Sequence, residues 1–268
     1  MSAGKKETWA AGEPYERYVG RWSRPVARDF IAWLDLPRRL RWLDVGCGTG
    51  ALSAGILAAA GPAAVIGVDP SEGFLDLARI QLQDARVRFE IGDAQALPLA
   101  DGAVDAAVSG LVLNFVPDQP RAIREMMRAV RPGGAVALYV WDYAGEMQLM
   151  RHFWDAAAAL DPKAAQLDEG FRFPICQPEP LAALLRDAGL EAVATRPIDV
   201  PTTFGDFDDY WSPFLGGQGP APGYCMSLSE QRRAALRDRL RATLPSAADG
   251  RITLIARAWA VRGTVPAA

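Results

Sequence analysis

The chain has 268 residues, of which 50% are hydrophobic and 23% are charged, a composition typical of soluble globular proteins and not of disordered chains. It contains a single histidine, His152, so zinc sites built from several histidines and HExxH proteases are excluded. Three separated cysteines, Cys47, Cys176 and Cys225, form no CxxC pair. They predict neither a disulfide framework nor a zinc ribbon, and they favour a reducing, cytoplasmic setting.

The formal net charge is −3, which argues against a nucleic-acid partner because proteins that bind the phosphate backbone normally carry a basic face. The first 17 residues lack the apolar segment of a signal peptide. The longest uncharged run, 51–68, is broken by Gly61 and Pro62, so it predicts a helix, a turn and a strand and not a membrane span. We therefore expect neither a nucleic-acid partner nor a membrane partner, and we expect a monomer or homodimer.

Short apolar runs alternate with amphipathic stretches along the chain, and this rhythm predicts an α/β fold. The runs that predict strands are 41–45, 63–68, 87–91, 104–109 and 135–140. Because these strands are nearly continuously apolar and are separated by helices, they predict a doubly wound parallel sheet covered on both faces. A helix at 180–188, a strand near 191–195 and a final strand at 252–259 follow.

Local signals predict where several helices begin and end. Ser71 and Asp118 precede apolar residues at helical spacing and are predicted N-caps. The run 131–134, Arg-Pro-Gly-Gly, is predicted to end the helix that starts after Asp118. A capping box from Ser227 to Glu230 predicts a helix over 227–244. Its arginine-rich face is interpreted as a solvated surface, with an acidic substrate or RNA as the alternative.

We predict one domain over 1–268 with helical cap elements at about 1–35, 142–176 and 199–249. In the last of these, the Gly/Pro-rich stretch 216–223 predicts a mobile lid loop. The segment that begins at Asp206 predicts a short capped helix, whose Tyr210 or Trp211 could line an acceptor pocket.

A glycine-rich turn follows the first strand. Glycines at 46, 48 and 50 allow the backbone to turn sharply and to approach a ligand closely, and the next helix directs its N-terminus at that ligand. The same turn fits the dinucleotide pattern G-x-G-x-x-G/A through Gly46, Gly48 and Ala51. A nicotinamide or nucleotide-sugar enzyme therefore remains an alternative.

Three acidic positions indicate which ligand the turn holds. Asp69 ends the second strand, where its carboxylate can accept hydrogen bonds from both hydroxyls of a ribose. Asp93 and Ala94 follow the third strand, where an acid and a backbone N–H can contact an adenine. Asp44 would repel a pyrophosphate but suits the ammonium group of an amino acid. The pattern indicates an adenosine that carries an amino acid and no phosphates.

Four motifs occur in the order found in a known protein family: LDVGCGTG at 43–50, GVDPS at 67–71, GDAQALP at 92–98 and RPGG at 131–134. The chain resembles class I S-adenosylmethionine-dependent methyltransferases of the small-molecule type related to the ubiquinone and menaquinone enzymes. The resemblance implies a Rossmann-like sheet of about seven strands, mostly parallel with the last strand antiparallel, and S-adenosyl-L-methionine as cofactor.

The resemblance also implies roles for individual residues. Asp69 would bind ribose, Asp93 and Ala94 would bind adenine, and Pro70 would lie against an adenine face. The loop from Gly46 through Cys47 and Gly48 to Gly50 would pack beside the methionyl group, which the backbone near Ser109 and Leu111 would also meet.

One departure from the related enzymes concerns the segment after the fourth strand, which often carries a histidine. Here it contains Asn114, so a histidine's role is not transferred, and Asn114 is expected to touch the substrate as a hydrogen-bonding amide. In the N-terminal segment, Tyr15, Tyr18 and Trp22 share a helical face. They would either close over the sulfonium of the cofactor or pack a helix onto the core.

The predicted reaction is transfer of a methyl group to O, N or C of a small, partly apolar acceptor. His152 is the one side chain of suitable unperturbed pKa if the acceptor needs a general base, although a packed or exposed histidine is the alternative. Asp142 and Tyr143, just beyond the fifth strand, are expected to line the acceptor site. A protein that binds the cofactor without transferring the methyl group is a further alternative.

Overall fold

The computed structural model describes residues 20–217 and 219–267. The chain divides into two compact units. Of the described residues, the sheet unit comprises 23–141, 175–198 and 258–267, and the insert unit comprises 20–22, 142–174, 199–217 and 219–257. Among the described residues, no helix is both long enough and apolar enough to cross a membrane.

Seven strands form one sheet in the order β3-β2-β1-β4-β5-β7-β6. The strands β1 to β5 are joined by parallel pairs, and β7 pairs antiparallel with β5. This confirms the predicted Rossmann-like sheet with an antiparallel last strand. The order reverses at β1, which lies between β2 and β4, and open sheets of this kind bind ligands at the carboxyl ends of the strands at such a point. The bounds are β1 Arg41–Val45, β2 Ala64–Asp69, β3 Val87–Ile91, β4 Val104–Gly110, β5 Val130–Trp141, β6 Glu191–Phe204 and β7 Ile252–Thr264.

The predicted N-caps of two helices are confirmed. The N–H of Phe74 donates to Ser71 Oγ at 3.4 Å, and the N–H of Arg121 donates to Asp118 Oδ1 at 3.0 Å. Short 3-10 turns lie at Leu113–Phe115, Pro162–Leu167 and Ser212–Gly216. The helices are α1 Arg21–Leu34, α2 Ala51–Ala59, α3 Glu72–Gln81, α4 Gln119–Ala129, α5 Gln148–Leu160, α6 Glu169–Arg172, α7 Pro178–Asp187, α8 Phe207–Trp211, α9 Pro220–Ser227 and α10 Glu230–Thr243.

Two strands are longer than the sequence predicts. The helix α4 ends at Ala129, and the run 131–134 lies inside β5, where the register shifts between β4 and β5. A bulge of this kind accommodates the one proline and the two glycines of the run, which the sequence predicted only as a helix end. The strand β6 continues to Phe204 through Pro197 and Pro201. It is the outermost strand of the sheet, and edge strands tolerate proline because one side of their backbone needs no partner.

Two boundaries in the insert unit also differ from prediction. The stretch 216–223 is not simply a loop, because α9 begins at Pro220; prolines are tolerated in the first helical turn, where the N–H has no intrahelical acceptor. The helix α10 is capped by Ser229, whose Oγ accepts the N–H of Arg232 at 3.4 Å, and not by Ser227. Ser227 instead ends α9.

The sheet unit has a core of aliphatic strand residues onto which α1 packs. Val26 and Phe30 of α1 are fully buried, and the Phe30 ring lies 4.7 Å from that of Tyr139 on β5. Trp42 of β1 is 1% exposed. Burial of large apolar side chains contributes about 1.5–3 kcal/mol each, so this packing stabilises α1 against the sheet.

The insert unit has its own core of aromatic rings. Phe153 of α5 stacks on Phe214 with ring centroids 4.4 Å apart. Tyr210 of α8 lies 5.5 Å from Phe214 and 5.3 Å from Phe204. All four side chains are fully buried. Aromatic pairs of this geometry contribute about 0.5–1.5 kcal/mol beyond their buried area, so this cluster is the main packing element of the unit.

Candidate cofactor site

The glycine-rich loop after β1 is held against β2 by its backbone. The N–H groups of Gly46 and Cys47 both donate to the carbonyl of Val68, at 2.7 and 3.1 Å. Gly46 has φ of +70°, and a Cβ at this position would lie 2.5 Å from Cγ1 of Val112. Only glycine therefore satisfies both the backbone conformation and the available space.

The other side of the loop is open. Gly48 has φ of +51°, and a Cβ added there would meet no described atom within 4 Å. The helix α2 starts directly afterwards from Gly50, which offers its first turn no side-chain cap. The first N–H groups of a helix need acceptors from outside it. The loop thus presents open space beside Gly48, next to the end of β1 and the start of α2.

Asp69 connects this loop to the start of α3. One carboxylate oxygen accepts the N–H of Gly48 and the other accepts the N–H of Ser71, each at 2.9 Å. The side chain is buried. Burial raises the pKa of Asp69, whereas the two backbone hydrogen bonds lower it. Each oxygen of a carboxylate can accept a second hydrogen bond, so Asp69 retains the capacity to bind two ribose hydroxyls.

Asp44 is a buried carboxylate with one satisfied oxygen. Ser53 Oγ of α2 donates to Oδ2 at 2.7 Å, whereas Oδ1 has no hydrogen-bond partner among the described residues. Desolvation raises the pKa of Asp44 to about 7, against the opposing hydrogen bonds from Ser53. A buried carboxylate oxygen without a donor fits a ligand that brings a cationic N–H group. Ser53 was not among the residues predicted for this site.

The segment after β3 is held by residues that were not predicted as part of the site. Asp93 is exposed, and its Oδ1 accepts the N–H of Gln95 at 2.8 Å. This hydrogen bond closes a turn that includes Ala94. Farther along, the N–H of Leu97 donates to Glu125 Oε2 at 2.9 Å, and Arg128 donates to the carbonyl of Leu97 at 3.2 Å. Glu125 and Arg128 form an i,i+3 ion pair on α4, and that spacing was the signal available in the sequence.

Cys47 faces away from the open side of the loop. Its thiol is buried in an apolar cluster with Leu75, Ala78 and Phe89, and burial raises its pKa well above the usual range. Only the backbone of Cys47 is thus placed to contact a ligand. Pro70 is exposed directly after β2.

Two hydrogen bonds to backbone carbonyls shape the end of β4. Ser109 Oγ donates to the carbonyl of Val45 at 2.8 Å, which ties β4 to the end of β1. Leu111 has φ of +63°, and its N–H donates to the carbonyl of Tyr139 at 2.8 Å. The chain therefore turns sharply beside the glycine-rich loop.

Asn114 follows in the 3-10 turn after β4. Its side chain is 5% exposed, and neither its amide oxygen nor its amide nitrogen has a hydrogen-bond partner among the described residues. An unpaired buried amide costs about 1–3 kcal/mol. Asn114 is therefore a buried polar group that has no partner among the described residues.

In the insert unit, the predicted acceptor residues beyond β5 have structural roles. The two carboxylate oxygens of Asp142 accept the N–H groups of Gly145 and Glu146, at 3.1 and 2.9 Å, and so close a turn. Tyr143 is 5% exposed, and its ring centroid lies 5.9 Å from that of Phe173.

The other predicted residues of this unit are also packed. Tyr210 has no exposed surface, and its hydroxyl donates to the carbonyl of Leu149 at 2.9 Å. Trp211 is 6% exposed. His152 is half-buried on α5, where burial lowers its pKa against the opposing charge of Asp155.

Of the N-terminal aromatic residues, Tyr15 and Tyr18 lie outside the described residues. Trp22 packs edge to face on Phe204 at 5.7 Å, and the Arg21 guanidinium lies 4.5 Å from the Trp22 ring centroid. The described chain contains no group of three or more histidine, cysteine or acidic side chains that could hold a metal ion.

Comparison with known proteins identifies the class of this domain. Residues 43–138 match the family described as a methyltransferase domain. They form a methyltransferase domain of the class I S-adenosylmethionine-dependent type, in agreement with the resemblance predicted from the motifs. This matched range contains the glycine-rich loop, the strands β2 and β3 and most of β5.

Among its relatives, the chain is 36% identical over 161 residues to a trans-aconitate 2-methyltransferase of Variovorax paradoxus, covering 59% of each chain. It is 31% identical over 213 residues to a 2-methyl-6-phytyl-1,4-hydroquinone methyltransferase of Synechocystis, covering 73% of this chain and 65% of the relative. The chain therefore spans less than two thirds of the length of these curated relatives.

A similar fold occurs in solved structures at low sequence identity. The [4+2]-cyclase SpnF has a TM-score of 0.56 and 21% identity, over 99% of this chain and 89% of that one. This likeness concerns the fold alone, and it shows that a protein with this architecture is named for a reaction other than methyl transfer.

Proposed function

We propose that this protein transfers a methyl group from S-adenosyl-L-methionine to O, N or C of a small, partly apolar acceptor. The observation that carries the proposal is Asp69, whose carboxylate ties the open glycine-rich loop to the end of β2. The cofactor supplies an activated methyl group on a sulfonium. The relatives support a small acceptor, because they are named for trans-aconitate and for a hydroquinone.

Residues of the sheet unit would bind the cofactor. Asp69 would accept hydrogen bonds from the ribose hydroxyls, and Asp44 would pair with the ammonium group of the methionyl part. Asp93, Ala94 and Pro70 would hold the adenine. The backbone of the loop and of the turn after β4 would fix the methionyl part, through Gly46, Cys47, Gly48, Gly50, Ser109 and Leu111.

Asn114 would bind the acceptor, since its buried amide offers both a donor and an acceptor without a partner in the described chain. Of the insert unit, Asp142, Tyr143, Tyr210 and Trp211 remain proposed acceptor residues. Their contacts within the unit make them packing residues as well. His152 remains the proposed base for an acceptor of low acidity, and its lowered pKa keeps the imidazole neutral and able to accept a proton.

The remaining proposals concern the setting of the protein. We propose a single methyltransferase domain with cap elements at about 1–35, 142–176 and 199–249, in which Tyr18 and Trp22 close over the cofactor. We further propose a cytoplasmic monomer or homodimer without a nucleic-acid or membrane partner.

A second candidate is a protein that binds the cofactor without methyl transfer. The chain shares its fold with a protein named as a [4+2]-cyclase, a name that does not refer to methyl transfer. A nicotinamide or nucleotide-sugar enzyme is the third candidate. The buried Asp44 beside the loop argues against this candidate, because its carboxylate would repel a pyrophosphate.

Thermal unfolding with added cofactor tests the proposal. At about a hundred times its dissociation constant, S-adenosylmethionine should stabilise the protein by roughly 2.7 kcal/mol. For a chain of this size, that stabilisation corresponds to a rise in Tm of roughly 5–10 °C. NADH and UDP-glucose serve as matched arms and should leave Tm unchanged. Transfer of a labelled methyl group to trans-aconitate and to hydroquinones then tests catalysis.

The outcomes separate the three candidates. No shift with either S-adenosylmethionine or S-adenosylhomocysteine contradicts the proposed cofactor. A shift without labelled product across an acceptor screen favours the binding protein. A shift with NADH alone favours the nicotinamide enzyme.

Replacing Asn114 by leucine should raise stability and lower methyl transfer. The leucine side chain has a similar shape but no polar atoms, so the substitution removes the cost of an unpaired buried amide, about 1 kcal/mol or more. We expect a higher Tm, unchanged affinity for S-adenosylmethionine and a transfer rate reduced at least tenfold. Urea unfolding, calorimetric titration and a labelled-methyl assay measure these three quantities.

Thr202→Val is the matched control. Thr202 of β6 is fully buried, and its hydroxyl also has no partner in the described part of the chain. This variant should likewise gain stability, but it should keep the transfer rate of the parent protein. If Asn114→Leu lost stability, or if it gained stability and kept full transfer, Asn114 would not be an acceptor residue.

A further inference from the structure

A cavity of about 380 Å³ lies wholly within the insert unit, between α5, the 3-10 turn at Pro162–Leu167, α9 and α10. Its size is at the lower end of the range for small-molecule sites. Aliphatic side chains, among them Leu160 and Leu236, form its apolar part. The cavity involves no residue that we assign to the cofactor or to the acceptor.

Two cationic side chains, Lys163 and Arg232, line the same cavity. Neither the Lys163 ammonium nor the Arg232 guanidinium forms an ion pair or hydrogen bond in the ranges 20–217 and 219–267. Other arginines of α10 are held by the protein: Arg237 and Arg241 lie 3.4 and 3.6 Å from Asp208. The cavity therefore offers two cations that are available to a ligand.

Two further polar groups complete the lining. Asp161 contributes one negative charge, but its Oδ1 already accepts the N–H of Lys163 at 3.0 Å and caps the 3-10 turn. The pKa of Tyr224 is raised by burial and by the charge of Asp161 against that of Arg232, so its hydroxyl stays protonated and can donate a hydrogen bond. The three charged groups leave the cavity with one net positive charge.

We propose that this cavity is a second binding site, which takes an organic monoanion that carries a short apolar chain or ring. The carboxylate of the ligand pairs with Lys163 and Arg232 and accepts a hydrogen bond from Tyr224. The apolar part lies against Leu160 and Leu236. Binding needs both the negative charge and the apolar part of the ligand, because an exposed ion pair alone contributes little to affinity.

Calorimetric titration of the full chain with octanoate tests the site. We expect saturable binding of one octanoate per chain. Acetate has the same charge without the tail, and octylamine has the same tail with the opposite charge at pH 7. Both should bind at least tenfold more weakly. Binding should also weaken with added salt, which screens exposed charges.

Variants then locate the site. The double variant Lys163→Ala/Arg232→Ala should weaken octanoate binding about tenfold, since each exposed pair contributes up to about fivefold. Arg239→Ala, an exposed arginine of α10 outside the cavity lining, should stay within twofold of the parent. Ala235→Trp, which places a large ring in the lining, should abolish binding and keep both cations.

The proposal is overturned if octanoate does not saturate, if octylamine binds as well as octanoate, or if the double variant binds like the Arg239 control. Because both mutated cations are exposed, the double variant should fold, and its Tm provides the check. The titration needs no cofactor, so its result is independent of the proposed methyl transfer.

Discussion

Replacing Asp69 by alanine is expected to abolish the thermal stabilisation by S-adenosylmethionine. The substitution removes the proposed ribose acceptor and also the acceptor for the N–H groups of Gly48 and Ser71, each now 2.9 Å from the carboxylate. An unmade hydrogen bond at a buried group costs about 1–3 kcal/mol, so the glycine-rich loop should loosen. We expect cofactor affinity to fall at least a hundredfold, measured by calorimetric titration, with a lower Tm of the free protein.

Two further variants separate cofactor binding from general damage. Asp76→Asn changes an exposed carboxylate of α3 that pairs with Arg79, and it should keep the full stabilisation. Asp69→Asn retains one carbonyl acceptor, so it should recover part of the lost Tm but little of the cofactor affinity. Tight cofactor binding by Asp69→Ala would show that the ribose is held elsewhere.

The sheet and the cofactor loop were predictable because local signals there agree with the final packing. The strands β2 and β4 are mostly apolar runs, and glycines mark the turn after β1. Ser71 and Asp118 were predicted as N-caps, and both accept the expected backbone N–H groups. Where each residue's local preference matches its place in the fold, sequence alone is informative.

The failures occurred where partners distant in sequence decide the structure. The strand β6 passes through Pro197 and Pro201 because it lies at the sheet edge, and edge position depends on the whole topology. Ser227 was predicted to cap α10, but Ser227 is the last residue of α9 and the cap is Ser229. Local pattern alone could not separate these alternatives.

Side-chain partners were the least predictable part of the candidate site. The packing of Tyr210 in the aromatic cluster of the insert unit, which leaves its side chain no exposed surface, was not predicted. The hydrogen bond from Ser53 to Asp44 and the unpaired amide of Asn114 appear only once the chain is folded. The first contact affects the pKa of Asp44, and the unpaired amide of Asn114 affects the stability of the folded protein.

The free energy of unfolding should decrease as pH rises from about 4 to 7, because of Asp44. Burial raises the pKa of this carboxyl from 3.8 to about 7 in the folded protein. Between these values the folded state retains a proton that the unfolded state has released, so raising pH favours unfolding. One pKa unit corresponds to about 1.4 kcal/mol, and the full effect is on the order of 4 kcal/mol. Urea unfolding between pH 4 and 8 measures it.

Comparison with Asp44→Asn isolates this group, because asparagine does not ionise and other titrations cancel in the difference. The stability of Asp44→Asn relative to the parent protein should therefore grow with pH and level off above about 7. Ser53→Ala is the second arm: the Ser53 hydrogen bond lowers the pKa of Asp44, so its loss should move the transition to higher pH. A difference independent of pH would mean that water or a nearby donor already satisfies the second oxygen of Asp44. The carboxylate would then be ionised throughout, and it would have no need of a cationic ligand group.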